Sequence, residues 1–563
     1  MMSSRSKRLT AAALAAAMAF SLASCGGSDS SSAAAESTGS QASDSQEETP
    51  SDGKYVRNPV VTEPVVEKQP DLDLAEVQNE TDVPEDFQLT LEAEDAAAGG
   101  RAKALANDTL GEYTGEGFVA VPTEDSAVEF SFELETAGTY DLVFYTANSG
   151  TDASASVALD GEDFAVLPVS EKEFTLNSLN KVELSEGSHT VTFTGGKAMI
   201  FLDRLEVAGA KALDLSAFTV KETLADKNAS EETQRLYAFL KDVYGKYTIS
   251  GQYSGDNMGP NCMENYVIKK ATGKEPAILG LDLAELSPSL VNNGSTGGQK
   301  VPEYALDWWN NYGGIVTFCW HWNAPEPYIG IDGKDIYKGF YADSTTFDLG
   351  KALSKEDQQG YDLLIRDIDA IAETLAYLDD QHVPILFRPL HEGGGDPKWN
   401  NPWFWWGTSG AKAYIELWQL MFDRLTNYHN IHNLIWVWNG QIPDYYPGDE
   451  YVDVIGFDIY ASKGDTSPQT EIWEMMRGVT EENKIIALTE NGVVPDPEQL
   501  YSTTTRWAWF ATWNGEFAVN MTELGVSDYT PEEKLVKFYN SERVLTLDEL
   551  PDLKSYPIAG AAK

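Results

Sequence analysis

Glu392 and Glu490 stand 98 positions apart, each at the end of an apolar run and just before a glycine-marked loop. The first closes Pro384-Ile385-Leu386-Phe387-Arg388-Pro389-Leu390-His391-Glu392 and is followed by Gly393-Gly394-Gly395. The second closes Lys484-Ile485-Ile486-Ala487-Leu488-Thr489-Glu490 and is followed by Asn491-Gly492. A charged carboxyl at the end of a buried strand costs free energy unless something uses it. Two such carboxyls presented from two strand ends meet the requirement of glycoside hydrolysis, and the pair predicts a retaining glycosidase.

Side chains so far apart in sequence meet only if a larger framework brings their strands together. From 214 to 553, strand-like runs alternate with helical ones, and eight strands can be counted: 247–252, 277–283, 314–320, 383–391, 433–438, 452–459, 484–490 and 507–513. Helical periodicity marks 361–378 and 413–428 among the segments between them. Strand–helix alternation repeated this often predicts a closed parallel (β/α)8 barrel, whose chemistry sits at the carboxyl ends of its strands. Asp282, His321, Glu392, Asp458, Tyr460 and Glu490 all fall at such ends.

All fifteen tryptophans lie between Trp308 and Trp513. Flat sugar faces stack on aromatic rings, so a tryptophan-dense region suits a glycan cleft, although many of these rings must be core. Trp405 and Trp406 are neighbours, so at least one of them has to pack inward. The 89 acidic residues against 40 basic ones give a formal net charge of -49, which repels nucleic acid and anionic lipid and leaves a neutral polysaccharide unaffected. Three cysteines, Cys25, Cys262 and Cys319, are too few for a disulfide framework and show no metal-ligand spacing. Cys319 reads as a buried thiol, with a Cys262–Cys319 bridge as the other possibility.

The amino-terminal third divides in three. Residues 1–24 carry Arg5, Lys7 and Arg8 ahead of an apolar stretch, the pattern of a secretory signal. It ends Leu22-Ala23-Ser24-Cys25-Gly26, which resembles a bacterial lipobox. That resemblance implies cleavage before Cys25, acylation of its sulfur and a place on the extracellular face of the cell membrane, with the lipid as the only membrane contact. Residues 26–85 hold 14 acidic and 3 basic side chains with few apolar groups, so 25–86 is expected to be an extended tether without a core. From 87 to 210, short alternating runs broken by Gly and Asp predict an all-β sandwich of jelly-roll type. The barrel is expected to occupy 211–563.

Within the sandwich, Leu91-Glu92-Ala93-Glu94-Asp95, Tyr113-Thr114-Gly115-Glu116-Gly117-Phe118, Glu186-Gly187-Ser188-His189 and Phe201-Leu202-Asp203-Arg204-Leu205 resemble carbohydrate-binding modules of families 35 and 6. The resemblance implies a structural calcium on Glu92, Glu94 and Asp203, and oxygen-only ligands suit that ion. The module has no tryptophan; Tyr113, Phe118 and Tyr145 are its possible sugar platforms or else part of its core.

The barrel region resembles glycoside hydrolase family 26 in Arg388-Pro389-Leu390-His391-Glu392, Gly313-Gly314-Ile315-Val316-Thr317, Trp320-His321-Trp322, Tyr446-Pro447-Gly448-Asp449-Glu450-Tyr451 and Leu488-Thr489-Glu490-Asn491-Gly492. Most members are endo-β-1,4-mannanases, and a minority cut mixed-linkage β-glucan or β-1,3-xylan. The resemblance implies Glu490 as nucleophile and Glu392 as acid/base, with no cofactor for catalysis. It also implies that Tyr460 orients the nucleophile, that His391 and His321 contact substrate, and that Trp513 and Trp403 stack on sugars at and beyond the cleavage point. The family's short Asn-Gly link after the acid/base is replaced here by Gly393-Gly394-Gly395-Asp396-Pro397-Lys398-Trp399-Asn400-Asn401-Pro402. A mannan is the expected substrate. Mixed-linkage glucan or β-1,3-xylan, and a glycan-capturing lipoprotein without catalysis, are the alternatives.

Overall fold

Strict alternation along Ala127–Leu134 turns Val128, Phe130, Phe132 and Leu134 inward and leaves Glu129, Ser131 and Glu133 outside. Its neighbour Gly187–Thr194 pairs antiparallel with it and buries Val191 and Phe193 on the same face. The computed structural model describes residues 86–558 together with Leu72, Val83 and Pro84, apart from 108, 151–152, 170, 197, 211–217, 222, 256–257, 502 and 504. The signal at 1–24, Cys25 and nearly all of the 25–86 tether lie outside the described residues.

Between Gln88 and Gly209, two antiparallel sheets face one another. One runs Ala97–Gly99, Ala127–Leu134, Gly187–Thr194, Ala153–Leu159 and Glu162–Val169. The other runs Lys103–Leu105, Phe118–Val121, Ile200–Gly209, Gly138–Asn148 and Thr175–Leu184, and Gln88–Glu92 pairs with the far half of Ile200–Gly209. The apolar side chains of both form one core separate from that of the barrel.

Eight parallel strands then close into a barrel: Gly251–Tyr253, Ile278–Asp282, Ile315–Cys319, Ile385–Arg388, Leu434–Trp438, Val454–Ile459, Ile485–Asn491 and Phe510–Thr512. Each corresponds to an expected strand, and the (β/α)8 reading holds. The first expected run divides: Thr248–Ile249 pairs with Val544–Leu545, and only Gly251–Tyr253 enters the barrel. The fourth stops at Arg388 rather than at 391, because Pro389 has no N–H to give the ladder and Leu390 and Glu392 take positive φ of 53° and 54°.

The long outer helix Gln358–Asp380 starts where the Asp357 side chain accepts the Gly360 N–H at 2.9 Å. It buries Leu364, Ile368, Ile371, Leu375 and Leu378, a 3.6-residue stripe against the barrel. The predicted 413–428 helix is Ala411–Phe422 continued by a wider turn over Asp423–Tyr428. Twelve of the tryptophans are fully buried. Several pin loop carbonyls with their indole N–H groups: Trp405 to Trp322 O, Trp406 to His391 O, Trp507 to Pro468 O. Trp405 and Trp406 are therefore both packing. Cys262 and Cys319 are free and buried. Among the described residues, no helix is long and apolar enough to cross a membrane.

Candidate active site

A bulge in the seventh strand sets the geometry. Register with the sixth strand runs Phe457 to Leu488 and then Asp458 to Glu490, so Thr489 is an extra residue. Strict alternation would point Thr489 and Glu490 to opposite faces; the bulge lets both reach Asp458's neighbourhood. The Thr489 hydroxyl donates to Asp458 Oδ1 at 2.7 Å, and Glu490 meets Arg388, which donates in turn to Asp458 Oδ2 at 2.8 Å. Carboxylate oxygens of Glu392, Asp458 and Glu490 all lie within 4.8 Å of one another, and all three residues are buried.

The two glutamates have different partners. Glu490 accepts from the Arg388 guanidinium on Oε1 and from the Tyr460 hydroxyl on Oε2 at 2.6 Å. Glu392 accepts only the Trp403 indole N–H, at 2.7 Å, among the side-chain bonds of the described residues. Burial raises both carboxyls, and the Asp458 charge adds to it. Arg388 and Tyr460 hold Glu490 back, to about 7, whereas Glu392 goes well above the usual carboxylate range. One site thus holds two carboxyls driven to different proton affinities by their surroundings.

Arg388 is the fulcrum. It is fully buried and also donates to the Tyr253 hydroxyl at 3.1 Å. Asn439 links the two halves: its amide donates to Asp458 Oδ1 and Thr489 Oγ1, both at 2.6 Å, and its main-chain carbonyl accepts the Glu392 N–H at 2.7 Å. The left-handed backbone of Leu390 and Glu392 is held by such contacts; positions of this kind cost about 1–3 kcal/mol each and persist where their surroundings fix them.

The histidines form a chain. His321 Nδ1 lies 2.7 Å from Asp282 Oδ2, and His321 Nε2 lies 3.2 Å from His391 Nε2. Burial acts to raise Asp282, but the His321 ring and its bonds override it and hold the carboxyl low. His391 is 1% exposed, enclosed by Phe404 and Trp406, and burial with the nearby Arg388 charge pushes its ring well below the usual value. Glu392 and Glu490 are buried to the same degree, so His391 belongs to the same enclosed site, with its ring edge-on to that of His321 at 4.5 Å. Trp513 is half-buried, 4.8 Å from the Tyr253 ring and 5.6 Å from His321. Trp403, also half-buried, sits on the Glu392 side.

Tyr253, Asn439 and Tyr341 belong to the site without having been singled out from sequence. Tyr253 and Asn439 follow the strand-end rule: the first ends a barrel strand and the second comes directly after one. Tyr341 carries no such mark. It lies in a loop far past the third strand and bridges to Phe404, and burial with the Glu392 charge raises its phenol.

In the sandwich, Glu92, Glu94 and Asp203 gather around residues 114–117. Thr114 donates its hydroxyl to Glu92 at 2.8 Å and its N–H to Asp203 at 3.0 Å, while the Glu116 and Gly117 N–H groups reach Glu94 Oε1 at 2.6 and 2.9 Å. Glu94 Oε2 is buried with no protein partner. Burial raises Glu92 and Asp203. Arg204 ion-pairs Asp203, while the oxygen-only donors and the orphaned Glu94 oxygen are of the type a hard cation such as calcium takes. Phe118 is fully buried and so is core; the Arg204 guanidinium lies 3.2 Å from the Tyr145 ring centroid.

Residues 225–548 match the profile of glycosyl hydrolase family 26. The chain belongs to that family. A mannan endo-1,4-beta-mannosidase of Thermothelomyces thermophilus is 35% identical to it over 471 residues, 83% of this chain and 91% of that protein. The crystal structure of a Podospora anserina GH26-CBM35 β-(1,4)-mannanase superposes with a TM-score of 0.61 at 32% identity, covering 84% of this chain and 100% of that one. A β-mannanase from a symbiotic protist of the termite Reticulitermes speratus, complexed with gluco-manno-oligosaccharide, superposes at 0.52 with 31% identity, over 59% and 99% of the two chains. This family 26 member is accordingly a glycoside hydrolase built on the eight-stranded barrel.

Proposed function

We propose that the enzyme is a retaining endo-β-1,4-mannanase acting on mannan, galactomannan or glucomannan. Glu490 attacks the anomeric carbon and forms a glycosyl-enzyme as the glycosidic bond breaks. Glu392 gives its proton to the leaving oxygen, then takes one from the incoming water that releases the sugar. The observation that carries this is the approach of Glu392 and Glu490 oxygens to within 4.8 Å in unlike surroundings. Retaining pairs stand about 5–5.5 Å apart and inverting pairs about 6.5–9.5 Å, so this close approach supports the retaining arrangement. Arg388 and Tyr460 favour the ionised nucleophile, and burial keeps the acid protonated until it is needed. Trp513 and Trp403 then supply ring surface at and beyond the cleavage point, with His321 and His391 as substrate-contacting histidines.

The likeness to mannanases from several organisms supports the substrate. The sandwich is read as a family 35-like carbohydrate-binding module with calcium on Glu92, Glu94 and Asp203, supported by the full-length match to a GH26-CBM35 protein. The lipobox-like run at Cys25 supports a lipid anchor on the outer face of a bacterial membrane, with the acidic segment as tether.

Products from galactomannan, glucomannan, lichenan and β-1,3-xylan, measured side by side, test the substrate, and the anomeric configuration of the first-formed product, read by proton NMR, tests the mechanism. Mannan cleavage with β-anomer first is expected. Inversion would overturn the double displacement, and preference for lichenan or xylan would overturn the mannan assignment.

A further inference from the structure

Twelve of the fifteen tryptophans are fully buried, which leaves three with open ring surface. Two already belong to the site: Trp403 bonds Glu392, and Trp513 packs on Tyr253 and His321. The third is Trp399, 63% exposed. A single exposed ring is ordinary by itself; what singles out Trp399 is where its loop is anchored.

Its place in the chain says which ligand. The loop 393–402 is clamped at its base to the residue that bears the acid/base carboxyl: the Gly395 N–H donates to Glu392 O at 3.0 Å and the Gly394 N–H to Gly440 O at 2.9 Å. A Cβ on Gly395, whose φ is +70°, would stand 2.5 Å from Asn401 O, so the two ends of the loop touch. Residues 396–400 therefore form a closed projection between Glu392 and Trp403. Asp396 orders its tip: its carbonyl accepts the Trp399 and Asn400 N–H groups at 3.0 and 2.8 Å, and its carboxylate accepts the Lys398 N–H at 2.8 Å. The Lys398 ammonium lies 5.7 Å from the Trp399 ring centroid.

Glu392 must protonate the leaving oxygen, so whatever is clamped to it borders the leaving half of the chain. We propose that Trp399 is an additional stacking platform for a pyranose of the β-linked substrate on that half, outside Trp403. This rests on the acid/base role given to Glu392 above. The same ring would also seat an acceptor sugar. In that event the bond from Glu490 to the anomeric carbon breaks, the acceptor hydroxyl oxygen bonds that carbon, and Glu392 takes the hydroxyl proton. Transfer then competes with hydrolysis.

The test compares Trp399→Ala and Trp399→Phe with the unaltered full chain on mannohexaose and on an aryl β-mannobioside. Trp399→Ala is expected to lower kcat/KM on mannohexaose about tenfold, mainly through KM, in line with one lost ring contact. The loss shrinks as the leaving side is shortened to the aryl group, Trp399→Phe recovers most of it, and the ratio of transfer to hydrolysis products at high mannotriose falls in step. An equal loss on both substrates would mean the loop had only been disturbed, and no loss on mannohexaose would mean the ring is bare; either overturns the proposal. If the unaltered enzyme ignores mannan and cuts another β-glycan, the substrate assignment fails by itself, and the same comparison is made with oligosaccharides of that glycan.

Discussion

The sandwich and the barrel each assemble three carboxylates, and they treat them in opposite ways. Around residues 114–117, Glu92, Glu94 and Asp203 are met by main-chain N–H groups, a threonine hydroxyl and, at the buried Asp203, the Arg204 guanidinium. In the barrel, Glu392, Asp458 and Glu490 are buried together; Asp458 and Glu490 share the Arg388 guanidinium, and Glu392 has, among the side chains of the described residues, only the Trp403 indole N–H. Main-chain donors favour the ionised form of the carboxylate they hold, each acting on its own partner. A dry cluster with one cation forces its members apart in proton affinity, and acid–base chemistry needs that separation. The comparison teaches that the number of carboxylates matters less than whether their charge is answered individually or in common.

Glu490→Ala should break the shared arrangement most severely, lowering turnover on the order of 10⁴-fold or more while folding persists. Steady-state rates and circular dichroism check both halves of that statement. Glu392→Ala should cost about 10²–10⁴-fold on polysaccharide, with activity returning on an aryl glycoside when azide is supplied. Near-normal turnover of either variant on polysaccharide would end the assignment.

Arg388→Met tests the common cation directly. Removing it leaves Asp458 and Glu490 buried without a countercharge, a loss of about 3–5 kcal/mol that denaturant melts would show. Tyr460→Phe is milder. Activity should rise as Glu490 loses its proton, near 7, and fall as Glu392 loses its own at higher pH. The Tyr460 hydroxyl bonds the charged form of Glu490, so its removal raises that group further and moves the acidic limb to higher pH. Turnover should fall about tenfold, and a pH profile with an unmoved acidic limb would count against the role. Smallest is the sandwich: chelation should lower its melting transition by about 4–8 °C for each kcal/mol lost while the barrel transition stays in place.

Much of this was legible in the chain. The eight apolar runs, the positions of Glu392 and Glu490 and the alternation of the sandwich strands follow from periodicity, which reports burial by the backbone's own repeat. Tyr253 escaped because its strand runs one residue past the expected end, and Asn439 because it lies just beyond the end of its strand. Tyr341 escaped because no local signal ties a loop residue to a carboxyl fifty positions on.

Sequence alone determined which residues have the chemistry for the reaction and roughly where strands end, since these depend on side-chain type and short-range repeat. The tertiary structure decided the rest. Only the closed barrel sets Arg388 between Asp458 and Glu490, only the Thr489 bulge turns Glu490 inward, and only packing brings His391 against His321. Those outcomes depend on contacts between residues 30 to 135 positions apart, and no local pattern carries the energy of a contact formed when the chain closes on itself.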